Sequence, residues 1–219
     1  MRPRPEISAC SIVIVGDFNP KIFTPDWLAN QSIITAQERE ACEIELIHSE
    51  VSKFKCDWFV LEVTKNRFFI ETLEAPFVRI LDLVGSIFGE FLIHTPINMF
   101  GINRNMHFSM DRSQMIKIGK ALAPSAPWGE WGEEIDADEN NGMRLITMEQ
   151  NVLDDRNKGY IRTTVQPSSR LEGILISVND HYELVNKETT PESIQYLTNN
   201  FENSISKSEW ITDQILGIA

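Results

Sequence analysis

The chain has 219 residues, 42% hydrophobic and 9% aromatic, which is the composition of a folded globular protein and long enough for a real core in one domain or two small ones. Its formal net charge of −12 opposes phosphate backbones and argues against nucleic acid as the main partner. No apolar run reaches the ~20 residues that span a bilayer, and Ile12–Val15 is too short for a secretory core, so the sequence predicts a cytoplasmic protein.

Residues 1–7 carry three charges and two prolines and read as a loose start. Ser11–Phe18 is rich in β-branched residues and predicts a buried strand, ended by Asn19-Pro20. Thr24-Pro25-Asp26-Trp27 has the form of a helix start, with Thr24 as N-cap and Pro25 first in the helix. Thr35–Ala41 reads as a polar loop or helix tip, and Glu43–Val51 as one strand with a wet side. Residues 57–73 predict a hairpin turning at Lys65-Asn66-Arg67. A helix then follows Pro76 to about Leu92, with Phe77, Ile80, Leu81, Val84 and Phe88 at three- and four-residue spacing. Gly85 and Gly89, four apart, predict close packing on one side of it.

Ile97–Met110 is a long β-prone stretch, with Gly101 as a candidate bulge, and Ser113–Leu122 is a short helix capped by Asp111 or Ser113. Residues 124–142 combine Pro, Gly, two tryptophans and many carboxylates, and read as an acidic loop. Met143–Gln150 and Gly159–Gln166 are strands flanking a turn at 154–158. Ile174–Val178 and Tyr182–Val185 form a second predicted hairpin around Asn179-Asp180-His181. The last helix runs from Pro191 to about Leu216, capped by Thr190, with Ile194, Leu197, Phe201 and Ile205 on its apolar stripe and Asn200, Ser204 and Lys207 opposite.

Adding 115 to Phe59, Leu61, Val63 and Pro76 gives Ile174, Ile176, Val178 and Pro191. This predicts a duplicated strand–strand–hairpin–helix unit. The fold class is α+β, with mainly antiparallel sheets covered by helices. Residues 1–123 form the first half, 124–142 the acidic loop and 143–219 the second half, within one compact domain. The halves share one sheet or form two layers.

The three cysteines, Cys10, Cys42 and Cys56, are odd in number and lack CxxC spacing, which predicts reduced, partly buried thiols. His48, His94, His107 and His181 show no metal-binding spacing, and no P-loop, GxGxxG, GxSxG or SxxK string occurs, so no metal or cofactor is predicted. Gly16-Asp17-Phe18-Asn19 is similar to a string of the endonuclease/exonuclease/phosphatase superfamily, whose closing S-D-H string finds a counterpart in Asn179-Asp180-His181. The resemblance implies Mg²⁺-dependent phosphodiester cleavage by Asp17, Asn19, Asp180 and His181. It requires the first strand's end and the second hairpin's turn to meet. Those strings also have structural explanations, as a strand end and a turn.

Trp128 and Trp131, three apart in a Pro/Gly loop, are interface candidates, because wet indoles commonly anchor contacts. Phe201-Glu202-Asn203-Ser204-Ile205-Ser206 and the strand before that helix resemble a sporadically distributed family of bacterial proteins with no assigned activity. That resemblance implies a bacterial α+β protein. The leading functional expectation is a non-enzymatic protein that associates with itself or within a protein complex. A phosphodiesterase is the second, and a small-molecule binder with a pocket between the halves, lined by Trp27, Trp58 or Trp128, is the third.

Overall fold

The computed structural model describes residues 3–151, 158–184 and 189–219. Its strands are β1 (Ile7–Gly16), β2 (Glu43–Ile47), β3 (Val51–Lys55), β4 (Val60–Thr64), β5 (Arg67–Thr72), β6 (Ile97–Ser109), β7 (Ile146–Asn151), β8 (Gly159–Pro167) and β9 (Gly173–Glu183). They form one antiparallel sheet in the order β2-β3-β4-β5-β1-β6-β9-β8-β7. The helices are α1 (Pro25–Asn30), α2 (Ala36–Ala41), α3 (Val78–Ser86), α4 (Arg112–Leu122), α5 (Glu130–Asp136) and α6 (Thr190–Leu216). The α+β class expected from the sequence is the class observed.

β1 and β6 pair from Ile7↔His107 to Gly16↔Ile97 and join β2–β5 to β7–β9 in one sheet. The stretches β1–α3 and β6–α6 each run strand, helical segment, meander, helix, with the meander's last strand beside the first strand, so this division falls before β6 and not at the 124–142 segment. The offset of 115 does not mark a repeated hairpin-then-helix unit. Residues 60–72 form the hairpin β4–β5, whereas the supposed second hairpin is a single strand, β9, from Gly173 to Glu183. Asn179, Asp180 and His181 favour turns by type, but β6 and β8 lie on either side and pair with all three. The turn at 154–158 falls largely outside the described residues.

The reverse error occurs at residues 43–55. The single strand expected at Glu43–Val51 is β2, a turn, and the start of β3. His48-Ser49-Glu50 makes that turn without Gly, Pro or Asn, so the usual signal is missing. Cys42 and Cys56 flank the terminal pair Glu43↔Lys55 and are joined as a disulfide, against the expectation of reduced thiols. Their proximity depends on a hairpin that periodicity did not reveal. Cys10 remains a free, buried thiol.

The helix starts follow their sequence signals. The Thr24 hydroxyl accepts from the Trp27 amide, and Thr35 with Glu38 closes a capping box that makes 36–41 a helix. Asp111 with Gln114 caps α4 in the same way, and Thr189 with Glu192 caps α6 one residue before the expected Thr190. The acidic segment is folded, with a 3₁₀ turn at Ala126–Trp128 leading into α5. Gly101 makes no bulge; the register shift lies between Val15 and Gly16. Of the two helix glycines, Gly89 faces Ile194 of α6, while Gly85 has open space beside it.

The helices pack on one face of the sheet. Ile80, Leu81, Leu83 and Val84 of α3, with Ile87 and Phe88 of the π-helical turn Ile87–Phe91, lie over Cys10, Ile12, Ile14, Phe68 and Ile70. Phe68 and Phe88 sit 5.1 Å apart at 83°, and Phe18 and Phe23 complete the aromatic cluster. A second cluster gathers Ile118 of α4, Leu216 of α6, and Ile161, Val165, Ile174 and Ile176. Between the two, α6 lies on the sheet through small polar residues. Ser204, expected on the outer side, is buried with Ser208 and Thr212. Their hydroxyls find partners without water: Ser208 donates to the Ser204 carbonyl, Thr212 to that of Ser208, and Ser204 to the Asp180 carboxylate at 2.6 Å.

Candidate functional site

The structure keeps the four residues of the phosphodiesterase reading apart. Asp180 stands level with Ile12 across Ile102, five positions before Asp17, hence about 17 Å away along the strand. Asp180 and His181 also point to opposite faces, because side chains alternate along a strand. Asp180 is buried under α6, where it accepts from the hydroxyls of Tyr182 and Ser204. His181 lies on the other face, its ring stacked 4.6 Å from Tyr160. Asn19 caps the short turn Pro20–Ile22, accepting from the Lys21 amide. Among the described residues, no three His, Cys, Asp or Glu side chains gather where they could hold a metal.

The second face of the sheet carries no helix among the described residues. Its register aligns Glu71, Ser11, Asn103, Asn179, Arg162 and Glu149 in one row across six strands. A shallow groove of about 350 Å³ crosses this face, with Asn103, Asn105, Ser177 and Asn179 in its floor. Asn179 donates to the Asn103 side chain, and Gly101 leaves room for that amide. On one wall Arg67 lies 4.8 Å from the Phe69 ring; on the other Arg162 lies 4.5 Å from Tyr160 and pairs with Glu149 at 2.7 Å. Burial pushes the Glu71 carboxyl up and holds His181 and His107 below the usual imidazole range.

The sheet ends in two strands that each leave one edge unpaired among the described residues. β2 is exposed throughout, including Ile44 and Leu46, but Glu45 bulges out of its register with β3 and is paired to Lys53 at 2.6 Å. β7 runs from Ile146↔Val165 to Asn151↔Tyr160 with no shift, and Met148 is 68% exposed. Bulges and charges protect an edge from pairing; a regular, lightly charged edge is open to it.

Trp27 and Trp58 line neither the groove on the second face nor the cavity beside Trp128. Trp27 packs on Phe23 and Phe91, and Trp58 donates to Glu38 beneath the Arg79 guanidinium. Trp128 and Trp131 line a cavity of about 720 Å³ between α4, α5 and the strap leading to β7, where residues 112–123 of the expected first half meet 143–145 and 167–174 of the expected second. Sequence reasoning singled out the tryptophans and missed the edge β7, whose only signal was the alternation of residues 146–151. No protein-family model matches the chain, and no match is found among curated proteins.

Proposed function

We propose that the protein acts by association, with itself or with a protein partner, through the free edge of β7. The observation that carries this is a regular six-residue edge strand with an exposed apolar side chain and no bulge. In a twofold pair about an axis normal to the sheet, residues of equal parity face each other. An axis at Met148 places Met148 against Met148 and Thr147 against Glu149 of the second copy, so no like charges oppose. Glu149 is already neutralised by Arg162. A partner's strand would use the same row of backbone groups.

Light scattering coupled to size-exclusion chromatography tests this reading. Wild-type protein is expected as a dimer, and Met148→Lys, which sets two cations opposite each other, as a monomer with unchanged melting temperature. A monomer at every concentration, with no partner whose capture Met148→Lys abolishes, refutes it.

The reading includes a bacterial, cytoplasmic setting. The bacterial part is supported by the resemblance of Phe201–Ser206. The Cys42–Cys56 disulfide opposes the cytoplasmic part, since cytosolic disulfides are rare. Thiol alkylation of freshly lysed cells distinguishes the two settings. No helix among the described residues is long and apolar enough to cross a membrane.

A further inference from the structure

We propose that the cavity walled by Trp128 and Trp131 binds a small organic cation with an apolar body, such as an alkylated ammonium. At about 720 Å³, it has the size of a small-molecule site. Met115, Ile116, Met143 and Leu145 give it an apolar floor. The two indoles stand 5.4 Å apart at 75°, so they form a corner, and both remain more than half exposed. A wet indole face is a costly feature, and elsewhere in this chain such faces are occupied. Arg79 covers Trp58 at 3.8 Å, Lys207 covers Trp210 at 4.2 Å, and Trp27 packs on phenylalanines. Among the described residues, Trp128 and Trp131 contact each other and no cation.

The charges around the cavity point the same way. Its own cations are held away from the indoles. Lys120 pairs with Asp136 at 3.0 Å, Arg112 donates to the Glu139 carbonyl and the Asn140 side chain, and Arg144 donates to the Asn140 carbonyl. Glu139 and Glu172, also in the lining, have carboxylates that make no hydrogen bond or ion pair among the described residues. Residues 123–143 contain six carboxylates and no lysine or arginine, and the whole chain carries −12. The lining sets Asp136, Asp138, Glu139 and Glu172 against Arg112, Lys120 and Arg144, a small negative excess, and the three cations are engaged as above. A quaternary or alkylated ammonium therefore gains the ring quadrupole and the two uncommitted carboxylates. The same chemistry is offered by a small molecule or by a lysine side chain of a partner.

Calorimetric titration of the full chain with matched six-carbon probes tests the assignment, using hexyltrimethylammonium, hexanoate and hexanol. The ammonium is expected to bind about tenfold more tightly than hexanol, the upper part of the cation–π range converted to affinity, with hexanoate weakest. Trp131→Leu, which keeps an apolar wall, should remove most of that preference. Glu139→Gln with Glu172→Gln should weaken the ammonium alone by about two- to fivefold and flatten its salt dependence. Circular dichroism confirms folding of each variant, and the glutamate pair keeps the test valid if Trp131→Leu fails to fold. A lysine-containing peptide binding more tightly than hexyltrimethylammonium would support the site with a protein source for the cation. Equal binding of hexanol, tighter binding of hexanoate, or no ammonium binding would overturn the proposal. None of these outcomes depends on pairing along β7, which Met148→Lys tests separately.

Discussion

Arg104 is the residue whose replacement separates two physical accounts of this core. It lies on β6 facing the helices, is 2% exposed, and stands between the two hydrophobic clusters. Its Nη2 donates to the Ser8 hydroxyl at 2.7 Å, and its guanidinium lies 4.1 Å from the Phe77 ring. Nε and Nη1 have no hydrogen-bond partner among the described residues, and Glu209 acts on the charge only from a distance. The hydrogen bond contributes about 1.5–3 kcal/mol and the ring about 2 kcal/mol. Against them stand two unsatisfied donors at about 1–3 kcal/mol each, and several kcal/mol for burying an ion without a counter-charge. The balance opposes the arginine. Arg104→Met keeps an unbranched apolar side chain against Phe77 and removes the charge. It is expected to stabilise the fold by about 2 kcal/mol, which for a domain of this size raises Tm by about 4–8 °C. Arg104→Ala leaves a void and is expected to destabilise. Urea unfolding followed by circular dichroism measures both. A methionine variant less stable than wild type by more than about 1 kcal/mol would show that the buried guanidinium is compensated and stabilises the fold.

Phe88→Ala empties a fully buried site against Phe68, Phe18 and Phe23 and is expected to cost about 3–5 kcal/mol in urea unfolding, with a cost under 1 kcal/mol contradicting the packing described. Breaking the Cys42–Cys56 bond by reductant or by Cys42→Ser frees a loop of 14-residue separation and is expected to cost about 2–3 kcal/mol; identical unfolding curves with and without reductant would show that the thiols are unpaired. Burial makes His107 and His181 harder to protonate in the folded chain than in the unfolded one, so below about pH 6.5 the unfolded state binds more protons and stability falls. His181 faces Tyr160, Arg162, Glu183 and Glu149, with Asp180 adjacent in the chain, and Glu71, its carboxyl pushed up by burial, acts with the opposite sign. His107→Gln with His181→Gln should therefore flatten the dependence of the urea midpoint on pH between about 7.5 and 5.5, and an unchanged slope would assign it to other groups.

Local chemistry determined much of this protein before any tertiary contact was considered. Thr24-Pro25, Asp111 with Gln114, and the spacing of Ile80, Val84 and Phe88 fix helix positions because caps and amphipathic stripes act within a few residues. The same locality explains the errors. Asn179-Asp180-His181 has turn residues, yet it stays extended because β6 and β8 saturate its backbone groups and Ser204 and Tyr182 satisfy Asp180. Ser204 reads as a solvent-facing serine until α6 is laid on the sheet. Cys42 meets Cys56 only when β2 folds onto β3. The candidate sites follow the same division. Two tryptophans three residues apart are visible in a string of letters. That they form a corner of a cavity, and that β7 is left with a free edge, depends on which strands lie outermost and where α4 and α5 pack. Strand order and helix placement come from long-range burial of the apolar faces, which no window of neighbouring residues contains.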